Sequence, residues 1–218
     1  AGTSRVSFYF RSSAAQSFDA TVTLTGLPPA TQTQTVVPPQ VGQLAYLNAP
    51  LTVVAGACTS QLTVQTRDAA GVPTPVTTAS SVALSSNQAG VRFFSDSGCT
   101  AQVTGGVLPL AAGGSTVSFY VRATATSATT LTATLSVGAV PPANQPLTVT
   151  PGAPSQLVFA TAAQGIQSGT CSSEVRVETR DANDNPSPVG AATTVTLTPT
   201  GVAIGLFSDS GCATALTG

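Results

Sequence analysis

The 218-residue sequence predicts an all-β protein made of tandem antiparallel β-sandwiches, one copy complete and two partial. Three observations predict it. Apolar and polar residues alternate along short runs, Val and Thr abound beside Gly and Pro, and long segments recur in register. A period of two puts one set of side chains on each face of a strand, and a single apolar face describes an antiparallel sheet with its other face wet. Val117, Phe119 and Val121 alternate with Ser118, Tyr120 and Arg122; Leu62 and Val64 alternate with Thr63 and Gln65. Leu131, Ala133 and Leu135 alternate with Thr132 and Thr134. Turn signals separate such runs at AAGVP, SDSG, AAGG and VPPAN. No stretch carries a helical period.

The recurrence sets the domain plan. Cys58 opens CTSQLTVQTRDAAGVPTPV and Cys171 opens CSSEVRVETRDANDNPSPV, while Phe93–Gly105 (FFSDSGCTAQVTG) matches Leu206–Gly218 (LFSDSGCATALTG). Both matches keep the same displacement without a gap. Running the other way, VSFYFR at Val6–Arg11 recurs as VSFYVR at Val117–Arg122, and LPPATQTQTVVPPQ from Leu27 resembles VPPANQPLTVTPGA from Val140. The period, about 112 residues, is the size of one sandwich domain. It divides the chain into 1–40, the C-terminal strands of an incomplete copy; 41–151, a complete copy; and 152–218, the N-terminal strands of a further incomplete copy.

Aligned to the central copy, Gly218 falls at Gly105 and Ala1 at Ala112, so the partial copies are expected to be complementary halves. A half sandwich leaves strand edges unpaired and an apolar face open. The expected partners are therefore identical repeats or subunits, head to tail. They form either a homopolymer by strand donation or one giant chain in which covalent neighbours complete each end.

Composition removes other classes. There is no His, Lys, Met or Trp, 7% of residues are charged, and the net charge is −1. No basic footprint exists for nucleic acid. His-based triads and dyads and Ser–Lys pairs lack their bases, so neither an enzyme nor a cofactor is expected. No apolar run reaches the length of a membrane span or resembles a signal peptide, so no membrane insertion is expected and the sequence reads as a processed section of an exported protein. At 42% hydrophobic with little net charge, it also lacks the composition of disorder.

Four cysteines suggest disulfides and an oxidising compartment. Three pairings are open. Cys58 and Cys99 stand 41 apart, as do Cys171 and Cys212, and this duplicated spacing favours pairing within each copy. Neither a C-x-x-C motif nor a His partner points to metal or redox chemistry. The cysteines are expected to lie outside the sheet core.

The segment TRDANDNPSPV followed by TTVTLTPTG resembles the strand–loop–strand hallmark of bacterial immunoglobulin-like repeats of the invasin and intimin kind. The central copy departs from it at RDAAGVPTPV. The resemblance implies immunoglobulin-like sandwiches and an extracellular or cell-surface place as a spacer stalk, adhesin shaft or filament subunit. The expected function is a structural repeat unit of an extracellular bacterial filament or surface fibre, with each domain completed by neighbouring strands. The alternative is a stalk of a surface adhesin that binds a host, cell or glycan ligand through a tip elsewhere.

Asp181, Asn183 and Asp184 carry the oxygens of a weak calcium candidate, but such residues also shape turns through their own backbone, and the loop is expected to lie within its domain rather than at a junction. Tyr9, Arg11, Tyr120 and Arg122 face outward as a candidate inter-repeat contact row, with a solvated strand face as the plainer reading. Asp96 and Asp209 are expected to brace the SDSGC turns.

Overall fold

The computed structural model describes residues 5–201 and 204–216. Ala1 and Gly218, the positions matched to Ala112 and Gly105, lie outside them. In chain order the strands are β1 (Gln16–Val22), β2 (Ala30–Val36), β3 (Gln43–Tyr46), β4 (Leu51–Val54), β5 (Leu62–Arg67), β6 (Ser80–Ser86) and β7 (Arg92–Phe94). They continue as β8 (Val107–Leu110), β9 (Thr116–Arg122), β10 (Ala128–Leu135), β11 (Ala143–Thr150), β12 (Gln156–Phe159) and β13 (Val177–Arg180). Among the described residues the helical content is a single 3-10 turn at Thr104–Gly106.

The alternating runs become strands whose apolar faces meet. Val117, Phe119 and Val121 of β9, Leu62 and Val64 of β5, and Leu131, Ala133 and Leu135 of β10 are all buried. They meet between two sheets, of order β3-β5-β9-β7 and β4-β11-β10-β6-β8. Read as sandwich strands, the first sheet follows the A-B-E-D order and the second contains C-F-G, the immunoglobulin-like arrangement. Phe119 is the centre of the core. Its ring meets Phe93 at 5.9 Å and Tyr46 at 6.4 Å, both edge-on.

One edge departs from the antiparallel expectation. β4 runs parallel to β11, with Leu51 opposite Leu147 and Val54 opposite Thr150. The cause is an interrupted edge strand: β3 pairs with β5, then Asn48–Ala49–Pro50 carries the chain across to the second sheet. Pro50 has no N–H to offer a ladder. Asn48 holds the crossing by donating from Nδ2 to the Gln61 carbonyl (2.9 Å) and accepting from the Thr63 N–H at Oδ1 (2.7 Å).

Thr66 and Tyr46 are two of the polar groups that enter this interior. Thr66 satisfies its hydroxyl by donating to the Thr74 carbonyl at 2.6 Å. The Tyr46 hydroxyl is buried without a partner, and burial pushes its phenol above the ordinary value. An unpartnered buried hydroxyl costs more than it returns. Tyr46→Phe is therefore expected to raise stability by about 1 kcal/mol, read as a higher urea midpoint at unchanged m-value. The repeat already places Phe159 at the matching position.

Candidate functional site

The flanking strands repeat the central register. β1 pairs with β2 from Gln16 opposite Val36 to Val22 opposite Ala30, the register that β10 and β11 show from Ala128 opposite Thr148 to Ala133 opposite Ala143. β12 pairs with β13 from Gln156 opposite Arg180 to Phe159 opposite Val177, as β3 pairs with β5 from Gln43 opposite Arg67 to Tyr46 opposite Val64. What differs is cover. Phe119 is 0% exposed and its counterpart Phe8 is 58%; Leu62 is 0% and its counterpart Val175 is 52%. Leu157, Val177, Val195 and Leu197, the counterparts of buried Leu44, Val64, Val82 and Leu84, line an open apolar groove together with Val175. At the other end Val6, Phe8 and Phe10 are exposed, with Phe10 leaning edge-on against Phe18 at 5.1 Å.

Each cysteine pair closes within its own copy, Cys58 to Cys99 and Cys171 to Cys212, with Cα atoms 5.7 and 5.9 Å apart. Cys58 bridges to Arg122 at the end of β9 and is half-buried, whereas Cys99 is buried, 2% exposed, beside the apolar cluster between the sheets. The SDSGC turn presents the second cysteine. Asp96 accepts hydrogen bonds from the backbone N–H groups of Gly98 (3.2 Å), Thr100 (3.0 Å) and Ala101 (2.6 Å) and from the Thr100 hydroxyl (2.9 Å). This bracket holds Cys99 at φ +51°, a left-handed conformation that residues other than glycine rarely adopt. Asp209 does the same from Gly211 (2.9 Å), Ala213 (3.1 Å) and Thr214 (2.5 Å), and Cys212 also has φ +51°. The Ala101 N–H, against the opposing effect of desolvation, leads the bonds that hold the Asp96 carboxyl below its ordinary range; the Thr214 N–H leads for Asp209. Asp96→Ala is expected to lower the melting temperature and speed hydrogen exchange at Ala101, while the disulfide still forms.

The DANDNP loop is not confined to its domain, and this corrects the sequence expectation. Asn185 donates from Nδ2 to the Thr124 carbonyl (2.7 Å) and accepts at Oδ1 from the Thr126 N–H (2.9 Å). Asn183 donates to the Ala55 carbonyl at 3.1 Å. These partners lie in the loops after β4 and β9 of the central sandwich. Asp181, 1% exposed, ties the loop together: Oδ1 accepts from the N–H groups of Asn183 (2.8 Å) and Asn185 (2.9 Å), and Oδ2 from the Gly152 N–H (2.8 Å) and Asn185 Nδ2 (3.0 Å). Its acceptor positions are thus taken by protein donors. Asp184 points away and pairs with Arg180 at 3.1 Å. Burial works to raise the Asp181 carboxyl, but the bonds from Asn185, Gly152 and Asn183 outweigh it and bring it down to about 2.

A depressed carboxyl stabilises the fold above its unfolded value and loses that contribution as pH falls through its folded one. The contacts at Gly152 are therefore expected to persist at pH 4 and to weaken towards pH 2, read as faster amide exchange at Gly152. Equal protection at pH 4 and pH 2 would contradict this.

The four tyrosine and arginine positions differ among themselves. Tyr9 and Arg11 are exposed, Tyr120 is half-buried, and the Arg122 guanidinium lies over the Phe94 ring at 4.9 Å. Arg122 thus has a cation–π partner within its own sandwich. Among the described residues no group of three His, Cys, Asp or Glu is placed to hold a metal ion, and no helix is long and apolar enough to cross a membrane.

No family model and no curated protein matches the chain. Among solved structures it is similar to domains 4–9 of the surface layer protein SbsC, at 20% identity over 80% of this chain and 25% of that one, with a TM-score of 0.41. It is similar to SbsC domains 1–6 at 19% identity over 79% and 20% of the two chains, with a TM-score of 0.40. A beta-glycosidase from Bacteroides vulgatus shares 13% identity over 62% and 18%, with a TM-score of 0.41. The chain spans a quarter or less of the length of these structures.

Proposed function

We propose that this chain is a structural repeat unit of an extracellular bacterial filament or surface fibre of immunoglobulin-like sandwiches, each open sandwich being completed head to tail by strands of a neighbouring repeat. The observation that carries this is the shared register. The segment around Val6–Arg11 is the counterpart of β9, and β13 continues the counterpart of β5, yet the two lie uncovered in one chain. Laid together in the central register, Phe8 faces Val175 and Val6 faces Val177, as Phe119 faces Leu62 and Val117 faces Val64. The same register sets Arg5 opposite Glu178 where the central sandwich has Thr116 opposite Gln65, an opposite-charge cross-strand pair of the kind that supports pairing.

The two disulfides fit an oxidising, extracellular setting. The reading is non-catalytic: the buried Asp181 and the turn residues Asp96 and Asp209 all spend their carboxylates on backbone N–H groups. Sedimentation velocity of the purified chain tests the reading. The chain is expected to form concentration-dependent linear assemblies, and Phe8→Asp, which puts a charge on the donated face, is expected to leave it monomeric with the central sandwich intact. A wild-type chain that stays monomeric up to millimolar concentration contradicts it.

A further inference from the structure

We propose that Asn183 and Asn185, seated on Asp181, form a latch that fixes the angle between the sandwich of residues 41–151 and the unit that follows it, and that the joint before this sandwich has no such latch. The first half rests on the three loop contacts. Asn183 reaches the Ala55 carbonyl, Asn185 bridges the Thr124 carbonyl and the Thr126 N–H, and Ser187 donates to the Gly152 carbonyl at 2.6 Å. The contacts that cross the joint reach two separate loops, after β4 and after β9, so they oppose rotation as well as bending, while Ser187 and Gly152 brace the loop within the following unit. Asn183 packs so closely on Gly56 that a Cβ there would come within 2.8 Å of its Nδ2, and Gly56 also has φ +82°. The left-handed φ favours glycine, and any side chain there would have to displace the Asn183 amide.

The second half rests on the repeat. The counterpart of Asp181 is Asp68, which brackets its own loop in the same way, accepting from the Ala70 and Val72 N–H groups at 2.9 Å. The side chains that would reach outward are missing: Ala70 stands at the place of Asn183 and Val72 at that of Asn185. Gly152, whose N–H closes the latch onto Asp181, has Pro39 as its counterpart, which has no N–H to give. Among the described residues no hydrogen bond joins residues 5–40 to the loop from Asp68 to Thr74. One joint is rigid and the other is a hinge. In the array proposed above, and resting on that reading, the two would alternate and give a fibre whose stiffness repeats every second sandwich.

The inference concerns contacts within one chain, so it stands or falls separately from assembly. Distance distributions between paired nitroxide amino acids, in the full chain diluted with unlabelled protein, test it. Labels at Ala79 and Ala160 span the latched joint; labels at Ala79 and Thr23 span the other. The wild-type chain is expected to give a narrow distribution for the first pair and a broad one for the second. N183A combined with N185V, which copies the sister loop, is expected to broaden the first pair to the width of the second. Asn185→Asp keeps the shape of the side chain but removes the donor to Thr124, and it is expected to act in the same direction should the double variant not fold. A broad first pair in the wild type, equal widths for both pairs, or an unchanged width in the folded variants would overturn the proposal.

Discussion

Phe119→Ala is expected to destabilise the central sandwich by about 4 kcal/mol, and Phe8→Ala, the same residue at the same place in the repeat, is expected to leave that sandwich untouched. Phe119 has no exposed surface, touches Phe93 and Tyr46 through ring edges, and lies opposite Leu62 in the adjoining strand. Removing it leaves a cavity where an aromatic-poor core has little to collapse with. Of a total stability of about 5–15 kcal/mol that is a large share. Phe8 is more than half exposed in the single chain, so its truncation removes few contacts there. In the proposed assembly it would take the place of Phe119, and the same loss would then fall on association, about a thousandfold for about 4 kcal/mol. Urea unfolding of the two variants separates the first effect, and a dilution series of assembly by sedimentation reads the second. Equal melting losses for both would mean that residues 5–11 are already packed inside their own chain.

The disulfides carry an effect of similar size. Replacing Cys58 and Cys99 together by serine is expected to lower stability by about 4 kcal/mol, because the bond closes a loop whose ends are 41 residues apart and removes that freedom from the unfolded chain. For a domain of this size the melting temperature should fall by roughly 20 °C. Val and Thr strands with so few aromatics bury modest area per residue, and the staple supplies a stability that a larger core would otherwise give. Thermal melts of wild-type and double-serine protein check it. A loss below about 1 kcal/mol would place the stability of the sandwich in the sheets alone. Asp96 enters the same account from the other side: it holds Cys99 in the left-handed conformation that aims its sulfur at Cys58, so its truncation weakens the turn without removing the bond.

Much of the fold is legible in the residues because strand pattern is local. The alternation at Val117–Arg122 and at Leu131–Leu135 names the inward faces directly, and the two SDSGC segments mark turns by composition. The parallel pairing of β4 with β11 was not legible. Whether a strand after Pro50 rejoins its first sheet or crosses to the other depends on which edge is free, a property of the assembled sandwich. Nor was the position of the DANDNP loop. Its partners are the carbonyls of Ala55 and Thr124, backbone atoms that every residue owns and no sequence marks. The one available signal was the contrast between the copies, Asn183 and Asn185 against Ala70 and Val72, which says that the loops differ in contacts but not with what. Arg122 taught the reverse lesson: its position on the outward face of β9 was readable, while its use over Phe94 follows from a neighbouring strand.

Electron cryo-microscopy of the assembly formed by the purified chain decides whether the halves finish one another. The account predicts a linear array of equivalent sandwiches in which residues 6–11 of one copy run between the segments 175–179 and 205–207 of the next, antiparallel to both. Density that places residues 6–11 against those segments of the same chain, or particles that remain single molecules, would contradict it.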